Sequence, residues 1–329
     1  MPIVDVHNHF YPPEYLDALN RLGSCVKVTY DADKNPRVHY PGDYNILVPG
    51  HRDIACRQGV LDELKVDRQI ISFTTPGTHI EMPAVAVRLA AIVNDAYARI
   101  VADRSAHFLA FATLPLCDPA ASAKEFVRAM DELRLSGAML FSNVNGTGLD
   151  HEQFWPLYEA ANDRGAVLMI HPTYPVGVEA MTDYWLMPLN GFLFDTTLAA
   201  SKLVFSGVVR RYPKIRWVLG HLGGTIPFLA ERLDRGYKAF KECRAHIDEL
   251  PTAYLKRHFY YDTVNFNAAA LACAINFAGT GHILAGSDYP HQIGSIPLML
   301  EAIRALPISE DARAGILGGN LLGLLGAQG

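Results

Sequence analysis

Ile3-Val4-Asp5-Val6-His7-Asn8-His9 opens the chain with an apolar run that carries two histidines one residue apart. Successive side chains of a β-strand point to opposite faces, so positions i and i+2 share one, and both imidazoles aim at the same point. The lead-in of Ile3, Val4 and Val6 reads as a strand covered on both faces, and Pro12-Pro13 forces the chain out of it. His7 and His9 therefore stand at the carboxyl end of a buried strand, where the active sites of α/β folds lie. On its own the pair also fits two ordinary strand histidines, and the rest of the chain decides between the readings.

Outward from this strand, residues 10–50 are irregular. An amphipathic segment from Glu14 to Leu22 precedes a passage rich in Gly, Pro, Asp and Tyr, read as a lid or small β-rich insert. A helix over Ile54 to Lys65, capped by Asp53, follows. From Gln69 onward apolar runs alternate with amphipathic segments: strands at 69–73, 108–112, 137–141, 166–171, 215–221, 258–262 and 282–288, each followed by a helix. With the first strand this makes eight strand-helix units, and their continuous rather than alternating apolar character indicates parallel strands. The expected fold is a closed α/β (β/α)₈ (TIM) barrel occupying 1–329 as a single domain, with 10–50 as its insert. A doubly wound open sheet is the rival, but no GxGxxG turn is present. The last helix, around Glu310 to Leu325, is expected to pack on the barrel's outside.

Composition narrows the function. Half of the 329 residues are hydrophobic, 19% are charged and the formal net charge is −5, so no basic stripe suits nucleic acid or an anionic membrane surface. Five cysteines, scattered without CxxC spacing, read as free thiols in a reducing compartment. With no signal-like start and no long apolar window, a cytoplasmic location is expected.

In a barrel the last residues of each strand form the active-site mouth. Those positions hold His7 and His9, His171, His221 and Asp288, each ending a different apolar run. Three neutral imidazoles and one carboxylate suit one divalent metal, Zn²⁺ first and Mn²⁺ also admissible. Such a site leaves a position for water, whose pKa the metal lowers toward about 7. His221 then stands free as acid/base, while Asp288 either completes the coordination or moves a proton. His291, just past Asp288, is a further candidate. The other histidines, His51 and His79 among them, are expected at the surface or behind the site.

This arrangement, with the wording Asp5-Val6-His7-Asn8-His9-Phe10-Tyr11-Pro12, Ile170-His171-Pro172, His221-Leu222-Gly223-Gly224-Thr225 and Gly286-Ser287-Asp288-Tyr289-Pro290, resembles the amidohydrolase superfamily. Within it the chain looks like the branch typified by α-amino-β-carboxymuconate-ε-semialdehyde decarboxylase, which also holds decarboxylases of hydroxybenzoates and methylsalicylate. No lysine stands at the end of strand four, where Phe141-Ser142-Asn143 lies, so the resemblance implies a mononuclear site. It further implies that His7, His9, His171 and Asp288 hold zinc, that His221 is the acid/base, and that Trp185 lines the substrate pocket. Arg232 matches an arginine that reaches a neighbouring subunit's site and binds substrate carboxylate, which implies a homodimer or higher homo-oligomer. A second carboxylate-binding arginine of that branch aligns with Val48, and neither Arg52 nor Arg57 matches it by spacing. The implied activity is metal-dependent non-oxidative decarboxylation of a small carboxylic acid, with weight on a salicylate-like monocarboxylate. Hydrolysis of a lactone, an amide or the carbon-carbon bond of a ring-cleavage product is the alternative, because both chemistries share the metal. Phe73, Phe192, Phe194 and Tyr289 are candidate apolar walls.

Overall fold

A computed structural model describes residues 1–40 and 43–326; residues 41 and 42 of the insert and 327–329 at the carboxyl end lie outside the described residues. Eight parallel strands form the barrel: β1 (Val4–Asp5), β2 (Arg68–Ile71), β3 (Phe108–Ala110), β4 (Ala138–Phe141), β5 (Val167–His171), β6 (Arg216–Leu219), β7 (Phe259–Asp262) and β8 (Ile283–Leu284). They fall into ladders of three (β1 to β3) and five (β4 to β8) strands. A parallel bridge between Ala112 and Ala138 joins the ladders on one side. On the other, Val6 N–H donates to Ala285 O at 2.9 Å, and Asn8 bridges Tyr289. The sheet thus closes on itself, as the eight strand-helix units predict, and the open-sheet alternative falls away.

Strand alternation divides the apolar residues into two layers. Val4, Val6, Ile70, Phe111, Met139, Val167, Met169, Val218 and Leu284 form one buried cluster inside the barrel. Ala138, Leu140, Leu168, Ile170, Trp217 and Leu219 belong to the larger cluster between strands and helices. Burying each such side chain contributes roughly 1.5–3 kcal/mol, so a strand slipped by one residue would exchange the layers at great cost.

Several expectations are corrected. Leu321 and Leu324 of the last helix (Asn320–Gly326) join the interior cluster, and a Cβ on Gly318 would meet Pro2 O at 2.2 Å. That segment therefore closes the barrel's lower end instead of lying on its outside. The single helix expected after the strand at 166–171 is two, Phe192–Phe205 and Val208–Arg211. They part at Gly207, whose φ of +80° is open chiefly to glycine. A further helix at Pro251–His258, not foreseen from the sequence, precedes β7. Strands one and eight are shorter than expected, yet their extensions stay together: Ser287 and Asp288 N–H both donate to His7 O, at 3.1 and 2.7 Å. The insert holds a helix (Pro13–Leu22) and an antiparallel sheet of three short strands, Lys27–Tyr30, Pro36–Tyr40 and Asp43–Ile46. Asp53 caps Ile54–Leu64 as expected, accepting from the N–H groups of Ala55 and Cys56. No helix among the described residues is long and apolar enough to cross a membrane.

Candidate metal centre and active site

His7, His9, His171 and Asp288 each offer one ligand atom, and these atoms lie within 4.8 Å of one another. The imidazoles of His7 and His9 meet at 3.1 Å between their Nε2 atoms, as the shared strand face requires. His9 Nε2 is 3.1 Å from Asp288 Oδ1, and His7 Nε2 is 3.5 Å from the same oxygen. All four residues are buried.

Second partners set which nitrogen faces inward. His7 Nδ1 donates to Asp262 Oδ2, and His171 Nδ1 donates to Pro172 O at 2.6 Å. Each ring is thereby left with Nε2 as a lone pair, and His171 Nε2 is buried without a partner. A buried acceptor with nothing to accept from costs about 1–3 kcal/mol, so this donor set fits a cation that would occupy it. Burial pushes the pKa of His9 and of His171 well below the ordinary imidazole range, favouring the neutral form that ligates. For His7, burial opposes charge, but the carboxylates of Asp262, Asp288 and Asp5 outweigh it and raise its pKa. Asp288 is buried too, yet the neighbouring His221 and the hydrogen-bonded His9 hold its carboxyl well below the usual range.

His221 stands beside this cluster with Nε2 3.8 Å from Asp288 Oδ2. It sits in a tight turn with Leu222, at φ of 52° and 58°, a region costly for non-glycine residues. Asp262 holds the turn, accepting the His221 N–H at 3.0 Å and the Leu222 N–H at 2.7 Å. Gly224 completes it: a Cβ there would lie 2.2 Å from Leu193 O, so no other residue fits. Asp262 was not among the sequence candidates, although it ends β7 as His171 ends β5. An aspartate after Phe259-Tyr260-Tyr261 is the same strand-end signal.

Behind β1, Arg57 is fully buried. Its Nη1 donates to Asn8 Oδ1 at 2.7 Å and Gln69 Oε1 at 2.9 Å, and its Nη2 to His9 O and to Gly50 O. Burial lowers its pKa to about 10, so it stays charged at neutral pH. Arg57 is thus spent on backbone carbonyls and buried amide side chains, and Arg52 donates to Leu47 O; neither lines the cavity. At strand four, Ser142 and Asn143 both donate to Asp195 rather than facing a metal.

A cavity of about 790 Å³ opens over the cluster, walled by His171, His221 and Asp288 below and by Val48, Trp185, Phe192, Leu193, Phe266 and Ile293 around. The insert contributes Asp31, Asp33, Asn35, Tyr40, Tyr44, Asn45 and Ile46 to the same wall. Trp185 lies edge-on to Tyr44 at 5.9 Å. Phe73, Phe194 and Tyr289 are not on the wall: Phe73 packs against Tyr11 and Tyr15 in the core, and Phe194 is exposed. Arg232 is exposed on the helix Ile226–Ala239 and does not line this chain's own cavity.

His291 lines the cavity, its ring 4.8 Å from that of His9 and 5.1 Å from that of His51. His51, expected at the surface or behind the site, is 2% exposed and also lines the cavity. Burial first, then the neighbouring His291 and Arg57, push its pKa well below the ordinary imidazole range. No periodicity marks the turn of helix Pro49–Arg52 that carries it, so its placement was not legible locally.

A closed (β/α)₈ barrel with three imidazoles and a carboxylate gathered at its carboxyl mouth defines the class of metal-dependent barrel enzymes. The chain belongs to the amidohydrolase family, whose family model matches residues 4–326. It is 29% identical over 331 residues to a 2-amino-3-carboxymuconate-6-semialdehyde decarboxylase of Dictyostelium discoideum, covering 98% of this chain and 91% of that protein. Against a 6-methylsalicylic acid decarboxylase of Penicillium expansum, identity is 33% over 298 residues, covering 88% and 86%. Among solved structures, a dihydroxybenzoic acid decarboxylase from Polaromonas with bound manganese and the inhibitor 2-nitroresorcinol superposes with a TM-score of 0.84. Identity there is 25%, over 100% of this chain and 98% of that one.

Proposed function

We propose that the protein is a metal-dependent, non-oxidative decarboxylase of a small hydroxylated aromatic acid, a carboxy-lyase. The observation that carries this reading is the buried quartet His7, His9, His171 and Asp288 at the floor of an apolar-walled cavity. The names of relatives that span nearly the whole chain support it.

His7, His9, His171 and Asp288 hold one divalent ion; the donor set favours Zn²⁺, and the Polaromonas structure supports Mn²⁺ as the other candidate. When bound, the cation supplies Lewis-acid stabilisation of negative charge on the substrate's oxygens. His221 Nε2 gives a proton, directly or through Asp288 Oδ2 beside it, to the ring carbon that bears the carboxylate. The bond to the carboxylate carbon then breaks, its electron pair restores the aromatic ring, and carbon dioxide leaves. Phe192, Trp185 and Leu193 exclude water and flank the ring. His291 faces the substrate.

Residues 10–50 serve as the lid of this single-domain barrel. Arg232, exposed and absent from the lining of its own cavity, serves the substrate carboxylate of a second copy, which makes the working unit a homodimer or higher homo-oligomer. The free cysteines suit the cytoplasm.

Metal-loaded protein incubated with salicylate, 6-methylsalicylate and 2,6-dihydroxybenzoate tests the reading. Release of carbon dioxide with the matching phenol is expected. Silence across the panel at full metal occupancy would reject it, and solvent oxygen appearing in product would install the hydrolase alternative.

A further inference from the structure

His51 is the buried polar group that the mechanism leaves without work. Both of its ring nitrogens lack a hydrogen-bond partner, although the residue is 98% buried and lines the cavity. Every imidazole keeps at least one N–H, and in the neutral ring the second nitrogen accepts. Leaving both unmet is costly, and a bound molecule can satisfy the nitrogen that faces it.

The shape of that vacancy in hydrogen bonding selects its complement. A carboxylate only accepts and can meet only the ring's N–H; a hydroxyl, which donates and accepts, can meet whichever nitrogen faces it. Position agrees with this, because His291 neighbours both His51 and His9, at ring separations of 5.1 and 4.8 Å. The pair therefore sits to one side of the metal-binding quartet and not within it. No lysine or arginine appears among the described residues of the wall, so nothing there competes for an anion.

We propose that His51, with His291 beside it, recognises a ring hydroxyl of the aromatic acid, a second oxygen beyond the one that faces His7, His9, His171 and Asp288. The inference rests on the decarboxylase reading for the kind of substrate, and it makes that substrate a dihydroxylated arene. Sites built to hydrogen-bond a hydroxyl reject the analogue lacking it, because their own groups are then left unpaired.

Binding of inert probes to the metal-loaded protein tests this without turnover. 2-Nitroresorcinol and its dihydroxylated isomers are compared with 2-nitrophenol, which lacks the second hydroxyl. At least one dihydroxylated probe is expected to bind the unaltered protein about tenfold or more tightly than 2-nitrophenol. His51→Leu should shrink that ratio below about threefold at unchanged metal content, and His51→Gln, which donates and accepts, should restore part of it. Equal losses for all probes would assign His51 a merely structural role and overturn the proposal, as would an unaltered protein that does not prefer a second hydroxyl. Should His51→Leu not fold, the ring ¹⁵N signals of His51 in unaltered protein decide: they must shift with 2-nitroresorcinol and stay still with 2-nitrophenol. A protein that shows the preference but releases no carbon dioxide from the corresponding acids would sink the decarboxylase reading alone.

Discussion

Asp262 accepts a hydrogen bond from His7 Nδ1 while the same carboxylate takes the backbone N–H groups of His221 and Leu222, at 3.0 and 2.7 Å. One side chain at the end of β7 thus sets the tautomer of a candidate ligand and clamps the strained turn that carries the candidate acid/base. Asp262→Ala is expected to weaken metal binding about 10- to 100-fold, the usual cost of losing a partner behind a ligating histidine. Competition against a chelator of known affinity measures it, and an unchanged affinity would show that His7 needs no such support.

Arg57 ties the insert to the metal-binding strand by donating to Gly50 O and His9 O from one guanidinium. Arg57→Met leaves these buried carbonyls and the side chains of Asn8 and Gln69 without a donor, and should cost roughly 3–5 kcal/mol of stability. Arg57→Lys should recover less than half of that, since an ammonium cannot copy the planar fork. Urea unfolding gives both values from the midpoints, provided the slopes agree with that of the parent.

Val48 lines the cavity, whose charged wall residues are Asp31, Asp33 and Asp288. With these three carboxylates in an otherwise largely apolar wall, and no arginine among its described residues, a substrate with a second carboxylate should be disfavoured. Val48→Arg is expected to improve kcat/KM for a dicarboxylated hydroxybenzoate at least about tenfold, worth about 1.4 kcal/mol, through a bidentate contact. The same change should slow turnover of an alkyl-substituted monocarboxylate, and steady-state kinetics on the two substrates would expose a failure of either half.

His79 is buried against Phe141, and burial depresses its pKa to about 4. The unfolded chain, with an ordinary imidazole near 6.5, therefore binds a proton that the folded one refuses between these values. Stability from this residue is complete above about pH 6.5 and falls by roughly 3 kcal/mol as the pH drops to about 4. His79→Gln should flatten that portion of the stability-pH curve, and parallel curves for the two proteins would refute the assignment.

Much of this was visible in the chain before folding. Continuous apolar runs at regular spacing specify parallel strands, because only strands covered on both faces tolerate them, and eight such units leave little besides a closed barrel. Residues that end those runs are delivered to one mouth by the topology itself, which is why His7, His9, His171, His221 and Asp288 could be named together. The short ladders of β1 and β8 were less legible, since their polar ends continue the same apolar runs while the chain bends away at His7.

Sequence alone determined the fold, the quartet and the neighbouring histidine, because each depends on local periodicity of one strand and on the order of the strands. Only the tertiary structure decided that His51 reaches the cavity wall, that Arg57 serves the backbone, that Asp262 joins His7 to the His221 turn, and that the last helix plugs the barrel. Those four facts depend on contacts between segments far apart in the chain and on where irregular loops come to rest, and no residue spacing encodes either.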